Sequence, residues 1–88
     1  MLSNDEIRTI VEQAFRPLRC VAEIWDYEQK LRFRVFDSND VGVLRMDSAV
    51  LRDLRDAQNL RNVLSGARET IEEKGFRLDP WTLSRPRA

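Results

Sequence analysis

The residues able to do chemistry are unevenly supplied in this chain of 88 residues. There is no histidine, which removes the commonest general base and the commonest zinc ligand together. Cys20 is the single cysteine. Among apolar neighbours it reads as a small buried hydrophobe rather than a nucleophile, and alone it can form no intrachain disulfide, in keeping with a reducing compartment. Glu69, Glu72 and Glu73 gather late in a helical stretch with nothing to pair with them, the pattern of a solvated face. Asp37-Ser38-Asn39-Asp40-Val41-Gly42 has the sixth-position glycine of a calcium loop. Its fifth position is Val41 and its twelfth would be Ser48 rather than glutamate, so the match fails. No phosphate-binding glycine loop, metal-spaced cysteine cluster or nucleophile elbow occurs. No catalytic, cofactor-binding or metal-ligating residue is expected, and the chain is not expected to be an enzyme.

What remains is arginine, with 13 Arg against 2 Lys, and arginine suits bidentate carboxylate pairing and aromatic stacking better than lysine does. Arg52, Arg55, Arg61 and Arg68 alternate with Asp53 and Asp56, the signature of a salt-bridged, exposed helix face. Fifteen basic and fifteen acidic residues cancel, so nucleic-acid or anionic-membrane binding would need a local patch.

The elements that position these residues follow from capping and period. Ser3 with Glu6 forms a capping box, Leu2 is placed to staple onto Ile7, and Ile7, Ile10, Val11, Ala14 and Phe15 make one apolar stripe before Pro17, predicting a helix over Asn4 to Phe15. The period then changes to two. Leu18, Cys20, Ala22 and Ile24 form one inward set, and Leu31, Phe33 and Val35 another. Asp37 to Asp40 is a turn cluster, followed by a third strand over Val41 to Met46. Asp47 or Ser48 can cap a short helical turn and Asp56 a longer helix with Leu60, Val63, Leu64, Ala67 and Ile71 as its stripe, ended by Gly75; one kinked helix from Ser48 to Lys74 fits equally. The fold class is α+β in the order α-β-β-β-α, a three-stranded antiparallel sheet with the helices packed on one face. Residues 1–79 form one domain, and 80–88 a partly flexible C-terminal tail.

A first hairpin turning at Glu28-Gln29 pairs Val21 with Phe36, Glu23 with Arg34 and Trp25 with Arg32 on the uncovered face. The second hairpin adds Val43, Arg45 and Asp47 to those rows. The row Val21, Phe36, Val43 is more apolar than a solvated sheet needs. With Trp25, and with Trp81 from the tail able to lie over the sheet, these are the candidate partner-binding residues. The candidate nucleic-acid residues are Arg32, Arg34 and Arg45 beside Trp25 and Tyr27, although Glu23 and Asp47 in the same rows favour cross-strand ion pairs instead.

Phe15-Arg16-Pro17-Leu18-Arg19-Cys20, with the Met1-Leu2-Ser3 opening and Leu31, Arg32 and Val35, resembles a family of short bacterial proteins of unknown function that carry a Phe-x-Pro-x-Arg-Cys element after the first helix. The resemblance implies a bacterial origin and transfers no functional residue. The element order is also similar to the double-stranded-RNA-binding domain. That family's lysine clamp is replaced here by Asp53-Leu54-Arg55-Asp56-Ala57, which disfavours RNA. No apolar run approaches the length of a membrane span, and the first residues are acidic where a secretory signal is basic. The expectation is a cytoplasmic, non-catalytic interaction or regulatory module, self-associating as a dimer or binding a protein partner, with nucleic acid as the alternative and no membrane.

Overall fold

The computed structural model describes residues 2–25, 27 and 29–83. Ser3 caps the first helix, α1 (Asn4–Gln13), as a full capping box: its Oγ accepts from the Glu6 N–H at 3.1 Å, and its own N–H donates to Glu6 Oε1 at 3.0 Å. The helix ends two residues before Phe15, ahead of a cis Arg16-Pro17 bond. Three strands follow, β1 (Arg19–Trp25), β2 (Lys30–Phe36) and β3 (Gly42–Val50), in one antiparallel sheet of order β1-β2-β3. The chain then forms α2 (Leu51–Leu54) and α3 (Ala57–Glu73). The α+β order is as predicted, and two helices follow the sheet, not one kinked helix. Asp56 caps α3, accepting from the Gln58 and Asn59 N–H groups. Gly75 stops it at φ 98°, a backbone conformation that L side chains rarely adopt.

The helices cover one side of the sheet. Ile7, Ile10 and Val11 of α1 and Leu60, Leu64 and Ile71 of α3 bury against Leu31, Phe33 and Val35 of the central strand. At the centre the rings of Phe15 and Phe33 stack with centroids 5.5 Å apart, and both are withdrawn from water. Leu2 is buried with them, and its main chain is held by Arg55: Leu2 N–H donates to Arg55 O at 3.1 Å, and Arg55 Nη1 donates to Leu2 O at 3.2 Å.

Three expectations are corrected. β1 meets β2 with Arg19 opposite Phe36, Val21 opposite Arg34, Glu23 opposite Arg32 and Trp25 opposite Lys30. This is two residues away from the expected pairing, because the turn centres one residue earlier, with Tyr27 at φ 55° and Gln29 N–H bonded to Trp25 O. Glu28, half of the expected turn, lies outside the described residues. β3 continues past Met46 to pair Ala49 with Leu31 and Val50 with Lys30, so Asp47 and Ser48 are strand residues rather than helix caps. Finally, no residue among Arg52, Arg55, Arg61 and Arg68 forms an ion pair with Asp53 or Asp56 among the described residues. Arg55 and Arg68 reach carbonyl oxygens on distant segments instead.

Both sheet edges meet a charged side chain, from α1 at one and from the C-cap of α3 at the other. Glu12 Oε2 accepts from the Ala22 N–H of β1 at 3.4 Å, a long bond, and Lys74 Nζ donates to Val43 O of β3 at 2.5 Å. The C-terminal segment runs back across the helical side. Asp79 N–H bonds Arg16 O at 2.8 Å, and Trp81 and Leu83 pack on the core, so ordered packing continues beyond residue 79. The expected flexibility of residues 84–88 lies outside the described residues.

Phe33→Ala removes one ring of the central stack, a change that costs about 3–5 kcal/mol in cores of this kind, against a total stability of about 5–15 kcal/mol. Urea titration followed by circular dichroism is expected to show the variant largely unfolded or with its midpoint moved far down. A midpoint unchanged from the parent would rule Phe33 out as the centre of the core.

Candidate functional site

The face of the sheet turned away from the helices carries the charged and aromatic residues that alternation sends outward. Here the expected apolar row does not assemble. Two irregularities in the β2–β3 pairing place Val35 opposite Leu44 but Phe36 opposite Gly42. Val43 is the residue left over between them, a bulge that takes its side chain out of the outer row. It is 7% exposed and belongs to the core cluster. Trp81 is likewise absent from this face, packing on the helical side with the Arg68 guanidinium 5.7 Å from its ring centroid. Of the predicted partner-binding set, the outer face keeps Val21, Trp25 and the half-buried Phe36.

The arginines are organised by what each touches. Arg32 donates through Nε and Nη2 to Glu23 Oε2 at 2.9 and 2.6 Å, and lies 5.6 Å from the Trp25 ring centroid. Lys30 approaches the same ring at 5.5 Å. Arg45 pairs with Asp47 of its own strand at 2.7 Å, so Asp47 does not take the cross-strand partner Arg32 predicted for it. Arg19 covers Phe36 at 4.5 Å while bonding Asp40 Oδ1 at 3.1 Å. The outward alternation of β1 already placed Arg19 on this face; the Asp40 half of its contact depends on the turn bringing residue 40 back beside residue 19.

Arg34 is different. It is exposed at the middle of the central strand, with Val21 opposite on β1 and Arg45 opposite on β3. Among the described residues it makes no hydrogen bond, ion pair or ring contact. Like charges directly opposite across a sheet are unfavourable. A shallow depression of about 350 Å³, lined by Arg19, Val21, Glu23, Arg32, Arg34 and Phe36, lies beside it.

Cys20 sits on the covered face of β1 and is buried. Desolvation, helped by the Glu12 carboxylate, pushes its thiol up to about 12, so the nucleophilic thiolate is scarce at neutral pH. Among the described residues no group of three or more His, Cys, Asp or Glu is placed to hold a metal ion, and no helix is long and apolar enough to cross a membrane.

Two measurements follow from these environments. The folded protein is expected to react with a disulfide reagent at pH 8 only as fast as it unfolds. Because burial favours the neutral thiol, the stability tied to it is complete below the ordinary thiol value of 9.0 and is lost as pH rises through the folded value of about 12. Immediate stoichiometric labelling of the native chain would contradict this. Arg34→Thr, by removing one member of the opposed pair, is expected to stabilise the fold by about 0.2–1 kcal/mol in chemical denaturation; destabilisation would show that Arg34 has a partner within the chain.

Comparisons with curated proteins and with solved structures find no match. The sequence profile of DUF1652, described as a protein of unknown function, matches residues 5–71, from the first turn of α1 to the late part of α3. The chain therefore belongs to this family of unknown function.

Proposed function

We propose that this domain is a non-catalytic interaction module of the cytoplasm that associates with a second copy of itself through the outer face of its sheet. The observation carrying the reading is Arg34, an exposed cation with no counterion among the described residues, set beside Val21 and the half-buried Phe36. A protein surface supplying one carboxylate and some apolar area satisfies both features. The face itself contains Glu23, whose bonds to Arg32 both fall on Oε2, so a two-fold axis between Glu23 and Arg34 can set Arg34 of one copy against Glu23 Oε1 of the other, and the reverse, as an isologous interface requires. The absence of histidine and the neutral buried thiol support a reading without catalysis. The buried lone cysteine supports a reducing compartment.

The nucleic-acid alternative is weaker. Arg32 and Arg45 are committed to Glu23 and Asp47, which leaves Arg34 as the single unsatisfied arginine of the three.

Sedimentation velocity over the micromolar range tests the proposal. The parent chain is expected to show a concentration-dependent dimer, and Val21→Asp, a change at a side chain 37% exposed, to weaken it by about tenfold or more, equivalent to at least 1.4 kcal/mol. A parent that stays monomeric at high micromolar concentration refutes self-association. Retarded RNA in a low-salt gel shift, lost with Arg34→Ala, would favour the nucleic-acid reading instead.

A further inference from the structure

On the opposite side of the molecule, α1, α3 and the returning C-terminal segment form a half-open pocket of about 260 Å³ whose lining includes Ile10, Arg16, Arg68, Asp79, Pro80 and Trp81. Arg68 is fixed within this wall. Its Nη1 donates to Ala14 O at 2.5 Å, its Nη2 to Asp79 O at 2.7 Å, and its guanidinium lies 5.7 Å from the Trp81 ring centroid. Both acceptors are neutral carbonyls. A guanidinium has five N–H donors, so two bonds leave three donors unused, and Arg68 forms no ion pair among the described residues. Arg16 lines the same space and its guanidinium has no bond or ion pair among the described residues; the Asp79 carboxylate pairs with neither arginine.

We infer that this cavity binds a small organic carboxylate, with its anionic group on Arg16 and Arg68 and its apolar body against Ile10, Pro80 and Trp81. The guanidinium fork matches a carboxylate bidentately, and Arg68 is already held in one geometry by the carbonyls of Ala14 and Asp79, so little freedom is lost on binding. Trp81 and Pro80 give the rest of the ligand a small apolar surface within a mainly polar lining, which a bare inorganic anion cannot use. The volume selects for size, lying below the roughly 300–1,000 Å³ typical of drug-sized sites and well above the roughly 30 Å³ a water molecule takes up in the liquid. The cavity shares no residue with the outer sheet face, so this inference stands apart from the proposed self-association.

Benzoate, benzyl alcohol and inorganic phosphate are the probes, each titrated into the full-length ¹⁵N-labelled chain at constant ionic strength. The expected result is a saturable shift of the Trp81 indole N–H and Arg68 Nε–H signals with benzoate, with the Trp25 indole on the far face unmoved as an internal control. Arg16→Gln, at an exposed side chain with no bonds to lose, should weaken benzoate by about tenfold while preserving the spectrum of the fold. Benzyl alcohol producing the same shifts would overturn the requirement for a carboxylate. Phosphate binding as tightly as benzoate would overturn the assignment to an organic acid. Absence of saturation in the millimolar range, or Arg16→Gln without effect, would overturn the site itself.

Discussion

The stacked rings of Phe15 and Phe33 carry a constraint that reaches every other element. A sheet covered on one side has a single layer in which to exclude water, and here that layer must take the apolar stripes of two helices and the inner residues of three strands at once. Phe15 lies just past the end of α1, and Phe33 is at the midpoint of the central strand. Their contact therefore fixes where the first helix lies over the sheet and where the Arg16-Pro17 corner turns. Side chains on the other face of the sheet are free of packing demands, which is why charge and aromatic contacts can be arranged there.

Much of this was legible in the residues. The Ser3–Glu6 spacing specified the start of α1, the switch from helical to period-two spacing located the strands, and Gly75 marked the end of α3. The β2–β3 pairing of Phe33 with Met46, Arg34 with Arg45 and Val35 with Leu44 follows the spacing of the residues, but the β1–β2 register was not legible, because sliding β1 by two residues leaves every side chain on its own face and changes only its cross-strand partner. The choice was made by the turn, where Tyr27 adopts a left-handed conformation that its residue type does not announce. Val43 was misplaced for a related reason. Alternation assumes an unbroken ladder, and a bulge reverses the face of one residue without any change in composition. The residues chosen for the outer face were thus partly right by type, and of the rows they formed the Arg34–Arg45 pair stands while the β1 partners and Val43 do not.

The arginines show a second limit. Helical spacing placed Arg55 and Arg68 among nearby aspartates, and local pairing was the natural reading. Both side chains are instead long-range ties, Arg55 to the Leu2 carbonyl and Asn4, and Arg68 to the Ala14 and Asp79 carbonyls. A guanidinium is long and rich in donors, so it can satisfy main-chain oxygens that no helix or sheet ladder reaches. Such partners are 51 to 54 residues away for Arg55 and for the Arg68–Ala14 bond, beyond any local pattern. These two arginines join the chain's opening residues and its returning C-terminal segment to the helical layer.

Glu12 at the main chain of β1 and Lys74 at that of β3 have a consequence for how copies of this domain can assemble. An incoming strand would have to displace a charged side chain from either margin before forming its own ladder there. Growth by adding sheet to sheet, the open-ended route to fibres, is obstructed at both ends. The self-association we propose is left to the broad outer face of the sheet, where a two-fold contact closes on itself.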